Sequence, residues 1–279
     1  MLRSPSFQRC VMAGTLKGEV AIVTGGGRGF GERIARRLAD EGASVTIVSR
    51  SKSQLDAVVA AIRTGGGEAF AVAAEATDRA SVGAAVAAAE AKFGTTTLLV
   101  NSVGIDRPFG PIGSVDSDEW WSSHAIHVRA PLLFMSAVLP AMHARRKGCV
   151  VNVASRGGIE VTANMSSYCV SKATEIRLTE HVAAEGKPFG VVAFAIQPGT
   201  VITAMGEATL ANPDAQRWIP GGIEYLKSVQ AEQRDPAVRE AVFRRCCDMV
   251  VSLASGRYDA LSGRYLDPND DFDALMRPA

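Results

Sequence analysis

Tyr168 and Lys172 stand four residues apart in a stretch patterned as a helix, which places both side chains on one face. A phenol ordinarily titrates at about 10, and a neighbouring ammonium favours its phenolate, so such a pair can give and take a proton near neutral pH. Alone, a Tyr/Lys pair at this spacing is commonly surface decoration. Its meaning depends on what the rest of the chain brings to the same place.

A second stretch with chemistry in its shape lies near the N-terminus. Val20, Ala21, Ile22 and Val23 form a short apolar run ended by Thr24, and glycines at 25, 26 and 27 precede a segment in which Phe30, Ile34 and Leu38 recur every fourth residue. The pattern predicts strand, tight turn and helix. Backbone N–H groups at such a helix start, with the helix dipole behind them, hold a phosphate. Gly25, Gly29 and Gly31 let the backbone approach a ligand and let the helix lie close on its strand. A plain glycine-rich turn between packed elements is the competing reading.

The elements that must position these residues alternate along the chain. Strands are expected at Ser44 to Val48, Ala69 to Ala73, Thr97 to Val100, Cys149 to Val153, Val191 to Ile196 and Arg264 to Leu266. Helices are expected at Ser51 to Arg63, from an Asp78 cap to Phe93 and Gly94, from about Asp118 to Arg146, and from about Ser166 to Glu185. Short loops between them predict a single-domain α/β fold, a doubly wound parallel sheet of about seven strands with helices on both faces. Residues 200–235, rich in glycine and proline, read as an irregular lid. The main domain is expected over residues 16–279, with residues 1–15 a flexible tail and Met12 a plausible true start.

In an open parallel sheet, ligands bind beyond the carboxyl ends of the strands. Polar residues gather there: Ser49 and Arg50 after the second strand, Asn101 after the fourth, Ser155 after the fifth, and Pro198, Gly199 and Thr203 after the sixth. Their convergence on one edge favours a site over a set of unrelated turns.

Thr24-Gly25-x-x-x-Gly29-x-Gly31, Asn101-Ser-Val-Gly104, Ser155 thirteen residues before Tyr168, Tyr168-x-x-x-Lys172 with Ser171, and Pro198-Gly199-x-Val201-x-Thr203 together resemble the ordered motifs of the short-chain dehydrogenase/reductase family, from about Lys17 to Leu266. The resemblance implies a Rossmann-type sheet and hydride transfer between a nicotinamide and a carbonyl or secondary alcohol. It implies Tyr168 as acid/base, Lys172 lowering the pKa of Tyr168 and holding the nicotinamide ribose, and Ser155 bonding the substrate oxygen. Asn101 and Gly104 would border the cofactor. Gly25, Arg28, Gly29, Phe30 and Gly31 would form its phosphate turn, and Pro198, Gly199, Val201 and Thr203 would meet the nicotinamide side. Dimers or tetramers through the two long helices before and around Tyr168 are also implied.

Two positions depart from the family pattern. His127 stands where an Asn is usual, aligned by the following Val-Arg-Ala-Pro, and Glu75 stands where an Asp near the adenine is usual. His127 is expected to hold a relay water and to add its own ionisation to the rate profile. Its spacing of three from His124 invites a metal reading, for which no third ligand is evident. His127 is also the only support for the alternative function, a non-catalytic NADP(H)-binding sensor or regulator.

The cofactor expected is NADP(H) in preference to NAD(H). No carboxylate follows the second strand to bond a free ribose; Ser49, Arg50 and Arg28 are there instead, and arginine grips a 2′-phosphate. The 279 residues, 47% apolar with a net charge of +1, can bury a large core and give no sign of attraction to nucleic acid or acidic membranes. Purely apolar runs are far too short to span a bilayer. Five irregularly spaced cysteines fit a reducing cytoplasm, with Cys246 and Cys247 expected half in and half out of a helix. Trp218, Ile219, Tyr225 and Phe109 either line an apolar substrate pocket or are packing residues.

Overall fold

The computed structural model of the chain describes residues 14–277. The predicted N-terminal tail thus lies outside the described residues except for Gly14 and Thr15.

Seven strands form one all-parallel sheet: β1 (Val20–Thr24), β2 (Ser44–Ser49), β3 (Glu68–Ala73), β4 (Leu98–Asn101), β5 (Gly148–Val153), β6 (Val191–Ile196) and β7 (Tyr265–Leu266), in the order β3-β2-β1-β4-β5-β6-β7. The strands bury both faces, which is why they read as unbroken apolar runs and not as alternating ones. Val23, Ile47, Val151 and Ile196 face one side, where α1 (Gly29–Asp40), α2 (Lys52–Thr64) and α10 (Pro236–Ala254) pack. Ile22, Val48, Leu99 and Val150 face the other, covered by α3 (Arg79–Phe93), α5 (Ala130–Ala144) and the C-terminal part of α6 (Ser166–Gly186). At about 25 cal/mol per Å² of apolar surface, these two layers are the main source of stability.

Local signals set several boundaries. The Asp78 carboxylate accepts from Ser81 N and caps α3, which stops at Gly94 with φ of 90°. The long helix expected before β5 is broken into α4 (Ser117–His124) and α5 by a π-helical turn over Ala125–Arg129, with Pro131 in the first turn of α5. By length and composition, Ser117–Ala144 is apolar enough to cross a membrane, which short apolar runs alone had not suggested. Much of that apolarity is core packing, since Leu133, Phe134, Met135, Val138 and Met142 are buried.

Two expectations are corrected. Residues 200–235 are mostly helical: α7 (Ala204–Ala211), α8 (Pro213–Trp218) and α9 (Pro220–Glu232) follow one another with single-residue joints. The prolines that read as loop markers occupy first helical positions, where the missing N–H costs nothing. Cys246 and Cys247 are both buried, because α10 packs against both the sheet and its neighbour α1 and shows the core a face wider than one stripe. The last described helix is α11 (Phe272–Leu275), whose Phe272 is buried against Tyr258.

Candidate active site

The carboxyl ends of β1, β4, β5 and β6 lie side by side, because β4 pairs with β1 in the middle of the sheet. Four of the sequence motifs therefore meet at one edge. Gly25, with φ of 67°, lies against the backbone after β4: a Cβ there would stand 2.8 Å from Ser102 O. A Cβ on Gly31 would stand 2.4 Å from Gly25 O, so only glycine lets α1 begin this close to its own turn. Ser102 N donates to Thr24 Oγ1 at 3.1 Å, tying the turn to the next strand. The ring of Phe30 packs against Phe243 of α10, 5.0 Å between centroids, so it braces the turn and leaves its backbone to face a ligand.

The loop after β6 closes over this turn. Gly199 has φ of 87°, Val201 is buried, and Thr203 Cγ2 would lie 3.6 Å from a Cβ on Gly29. Gln233, just beyond α9, clamps that loop by accepting from Ile202 N and donating to Thr200 O, at 3.0 and 2.8 Å.

Tyr168 and Lys172 project from the first turns of α6 toward the same edge, with Lys172 Nζ 5.9 Å from the Tyr168 ring centroid. Ser155 follows β5, and its hydroxyl accepts from Gly157 N at 3.2 Å. Burial raises the Tyr168 pKa; the Lys172 charge and a hydrogen bond from the Ser155 side chain oppose it without reversing it. The expected lowering of the tyrosine pKa by Lys172 is thus not the net effect in this environment. A residue that the spacing did not expose accounts for part of this: Glu175, one helical turn on, is ion-paired with Lys172 at 2.7 Å. Lys172 Nζ also donates to Val153 O at 2.7 Å. An acidic residue on the same face as buried Ile176 and Thr179 was the available signal for Glu175.

His127 sits in the π-helical turn, edge-on to the Tyr168 ring with centroids 5.5 Å apart. Nε2 lies 2.5 Å from Ile105 O, while Nδ1 is buried without a partner. Burial, with the Lys172 charge added, pushes its pKa down to about 3. Burial beside an ammonium favours a neutral imidazole over the titrating relay expected at this position, since the proton would have to enter the core. His124 turns elsewhere and shares a 2.9 Å hydrogen bond with Ser171.

Three other polar residues at this edge, Asn152, Thr179 and Asp106, were not legible in the sequence. Asn101 Nδ2 donates to Asn152 Oδ1 and Asn152 Nδ2 to Thr179 Oγ1, each at 2.8 Å; Thr179 Oγ1 donates to Glu175 O, also at 2.8 Å. This buried chain crosses from β4 through β5 to α6. Asp106, after β4, accepts from Thr209 of α7, and burial raises its pKa. Phe109 and Ile219 pack in one buried cluster with Ala215 and Ile223, so they hold α8 and α9 on the loop after β4. Tyr225 is exposed and donates to Thr200 Oγ1 at 3.0 Å.

At the far end of the edge, Arg50 lies 3.8 Å from Glu75, and both side chains are largely exposed. Arg28 precedes α1 and is exposed. Ser49 Oγ is buried without a partner and would stand 3.0 Å from a Cβ on Gly27. Together with the unpartnered Asn101 Oδ1 and the bare backbone at Gly25, these atoms fit a dinucleotide laid along the edge. Ser49, Arg50 and Glu75 would then face its adenosine half, and Asn101, Gly104, Val201 and Thr203 its nicotinamide half.

The short chain dehydrogenase family model matches residues 19–214. A short chain dehydrogenase of Pseudocercospora fijiensis is 31% identical, covering 95% of this chain and 85% of its own. The 2-(S)-hydroxypropyl-CoM dehydrogenase 3 of Xanthobacter autotrophicus is 36% identical, covering 72% of this chain and 79% of its own. Among solved structures, a metagenomic short-chain oxidoreductase in complex with NADP superposes with a TM-score of 0.64 at 33% identity, covering 67% of this chain and 85% of that one.

Proposed function

The chain belongs to the short-chain dehydrogenase/reductase family, oxidoreductases acting on CH–OH groups, and from that premise we propose that it is an NADP(H)-dependent enzyme interconverting a carbonyl and a secondary alcohol. The observation that carries the reading is the Tyr168 phenol, held beside Lys172 and bonded by the Ser155 side chain at the edge where the glycine turn opens.

Each residue has a part that follows from its chemistry. Ser155 would orient the substrate oxygen by a hydrogen bond, and Tyr168, its phenol kept protonated by burial, would donate a proton to that oxygen during reduction. The Lys172 ammonium, anchored on Val153 O, would present its remaining N–H to the ribose and favour the phenolate left behind. His127, neutral, would complete the wall beside the Tyr168 ring. Gly25, Arg28, Gly29, Phe30 and Gly31 would bind the phosphates, with Gly104, Pro198, Gly199, Val201 and Thr203 around the nicotinamide. The bound nicotinamide supplies the hydride.

Preference for NADP(H) is supported by Arg50 and Arg28 and by the NADP complex of a relative. The Arg50–Glu75 pair does not oppose it, because an exposed pair contributes only about 0–1 kcal/mol and yields to a phosphate. Homo-oligomers are favoured by exposed apolar side chains on the helices around the site, Trp121, Leu132 and Val170. Cytoplasmic location is our reading of four free cysteines among the described residues.

The test is a panel of ketones and secondary alcohols assayed by nicotinamide absorbance with each cofactor. Turnover with NADPH or NADP⁺ is the expected result. Tight NADPH binding with no turnover across the panel would instead support the sensor or regulator.

A further inference from the structure

We propose that Glu175 is a positioning and charge-compensating residue of this site, which holds the Lys172 ammonium by a core ion pair and offsets its charge at the Tyr168 phenol, fitting the enzyme to donate a proton to a carbonyl. The proposal rests on the reading of Tyr168 as the proton donor.

Glu175 is an unusual residue to bury. Its side chain is 1% exposed and that of Lys172 5%. Removing both charges from water costs several kcal/mol each, and apolar replacements of such pairs are often neutral or stabilising. Fold stability alone therefore gives little reason for an acid here. The carboxylate is also fixed in place. Lys172 Nζ meets Glu175 Oε2 and Val153 O, each at 2.7 Å, and the backbone carbonyl of Glu175 ends the Asn101–Asn152–Thr179 chain.

The geometry has an electrostatic consequence. A lone ammonium this close to the ring favours the phenolate, and the more so in a buried site. With a carboxylate at hydrogen-bond distance from it, its field becomes that of a dipole and falls off faster. The remaining groups around the phenol do not replace that charge: His127 in the π-helical turn is neutral, Ser155 and Tyr265 are uncharged, and Asp106 from the loop after β4 adds negative potential. Glu175 thus works with burial and against Lys172.

Reduction needs the phenol and oxidation needs the phenolate, so a phenol protonated over a wider range extends the pH span of carbonyl reduction. The overall equilibrium is unaffected.

The experiment is a ¹³C NMR titration of the full-length protein labelled at tyrosine Cζ, with the Tyr168 signal assigned by its loss in Tyr168→Phe. In Glu175→Gln the Tyr168 midpoint should fall by about one pH unit or more, the scale of an opposite charge left uncompensated. Glu175→Leu, whose apolar side chain suits the core, should give the same fall and serves if the amide disturbs folding. Glu175→Asp, which keeps the carboxylate, should stay near wild type. A midpoint unchanged in both Gln and Leu variants, or lowered equally in Asp, overturns the proposal. The titration needs no substrate, so a failed search for turnover would count against the proposed reaction and leave this result standing.

Discussion

His127 Nε2 and Ile105 O stand 2.5 Å apart, so a side chain of the π-helical turn is bonded to the backbone that leaves β4. The bond holds the imidazole in the core, where its pKa falls to about 3 from the ordinary 6.5. Between these values the unfolded chain binds the proton and the folded chain does not. The stabilising contribution is therefore complete above about 6.5 and is lost as pH falls toward about 3. Urea unfolding at pH 7 and pH 5 should show wild type losing about 2 kcal/mol more than His127→Asn on acidification. Parallel losses would place the imidazole outside the core.

The same burial predicts that His127 adds no ionisation to the rate profile near neutral pH. Profiles of kcat/KM for wild type and His127→Asn should have the same shape between pH 6 and 9, whatever their relative heights. An extra ionisation near neutrality, present only in wild type, would restore the titrating relay.

Tyr168→Phe removes the transferable proton and almost no volume. Turnover should drop by about a hundredfold to ten-thousandfold, with NADPH affinity measured by fluorescence changing by less than about threefold. Wild-type kcat in the variant would remove Tyr168 from the chemistry.

Arg50→Asp should remove most of the cofactor preference. A charge-assisted hydrogen bond contributes about 1.5–3 kcal/mol, so wild type should favour NADPH over NADH by about tenfold to a hundredfold. The variant should lose most of that ratio, and Glu75→Gln, which frees Arg50, should increase it modestly. Equal affinities in wild type would show that the arginines point elsewhere.

The bond between Thr209 and Asp106 joins α7 to the loop after β4. Thr209→Val keeps the volume and leaves the half-buried carboxylate short of a donor, which should cost about 1–3 kcal/mol of local stability. Hydrogen exchange over Ala204–Ala211 should then speed up while α10 keeps its protection. Unchanged exchange would mean that the cluster around Phe109 and Ile219 alone holds these helices.

Much of the architecture was legible because local and global signals agreed. Val191–Ile196 is a buried strand with no competing period, and Asp78 and Gly94 bracket α3 as a cap and a stop should. Where a residue type has two structural uses, reading by composition failed. Pro213 and Pro220 start helices, though prolines also mark loops. Cys246 and Cys247 are buried together because of what α10 packs against, which no window of sequence contains. At the site, the Tyr168–Lys172 spacing was readable as helical periodicity. The direction of the Tyr168 pKa was not, since it depends on burial and on Glu175, and both arise only when α6 docks on the sheet.

The parallel order β3-β2-β1-β4-β5-β6-β7 also governs how this chain is made and maintained. The chain builds outward from β1 to one rim, then returns to the centre before building toward the other, so β1 acquires its second neighbour only when β4 arrives. The glycine turn is synthesised early, but its far wall, Thr203, comes from beyond β6, so no nascent fragment short of that point carries a complete nucleotide cleft. A ligand that spans both halves then rewards only the finished sheet, by RT ln(1 + [L]/Kd). Cellular cofactor supply would thereby bear on the abundance of this protein, because a chain lacking its nucleotide is the one exposed longest to proteolysis.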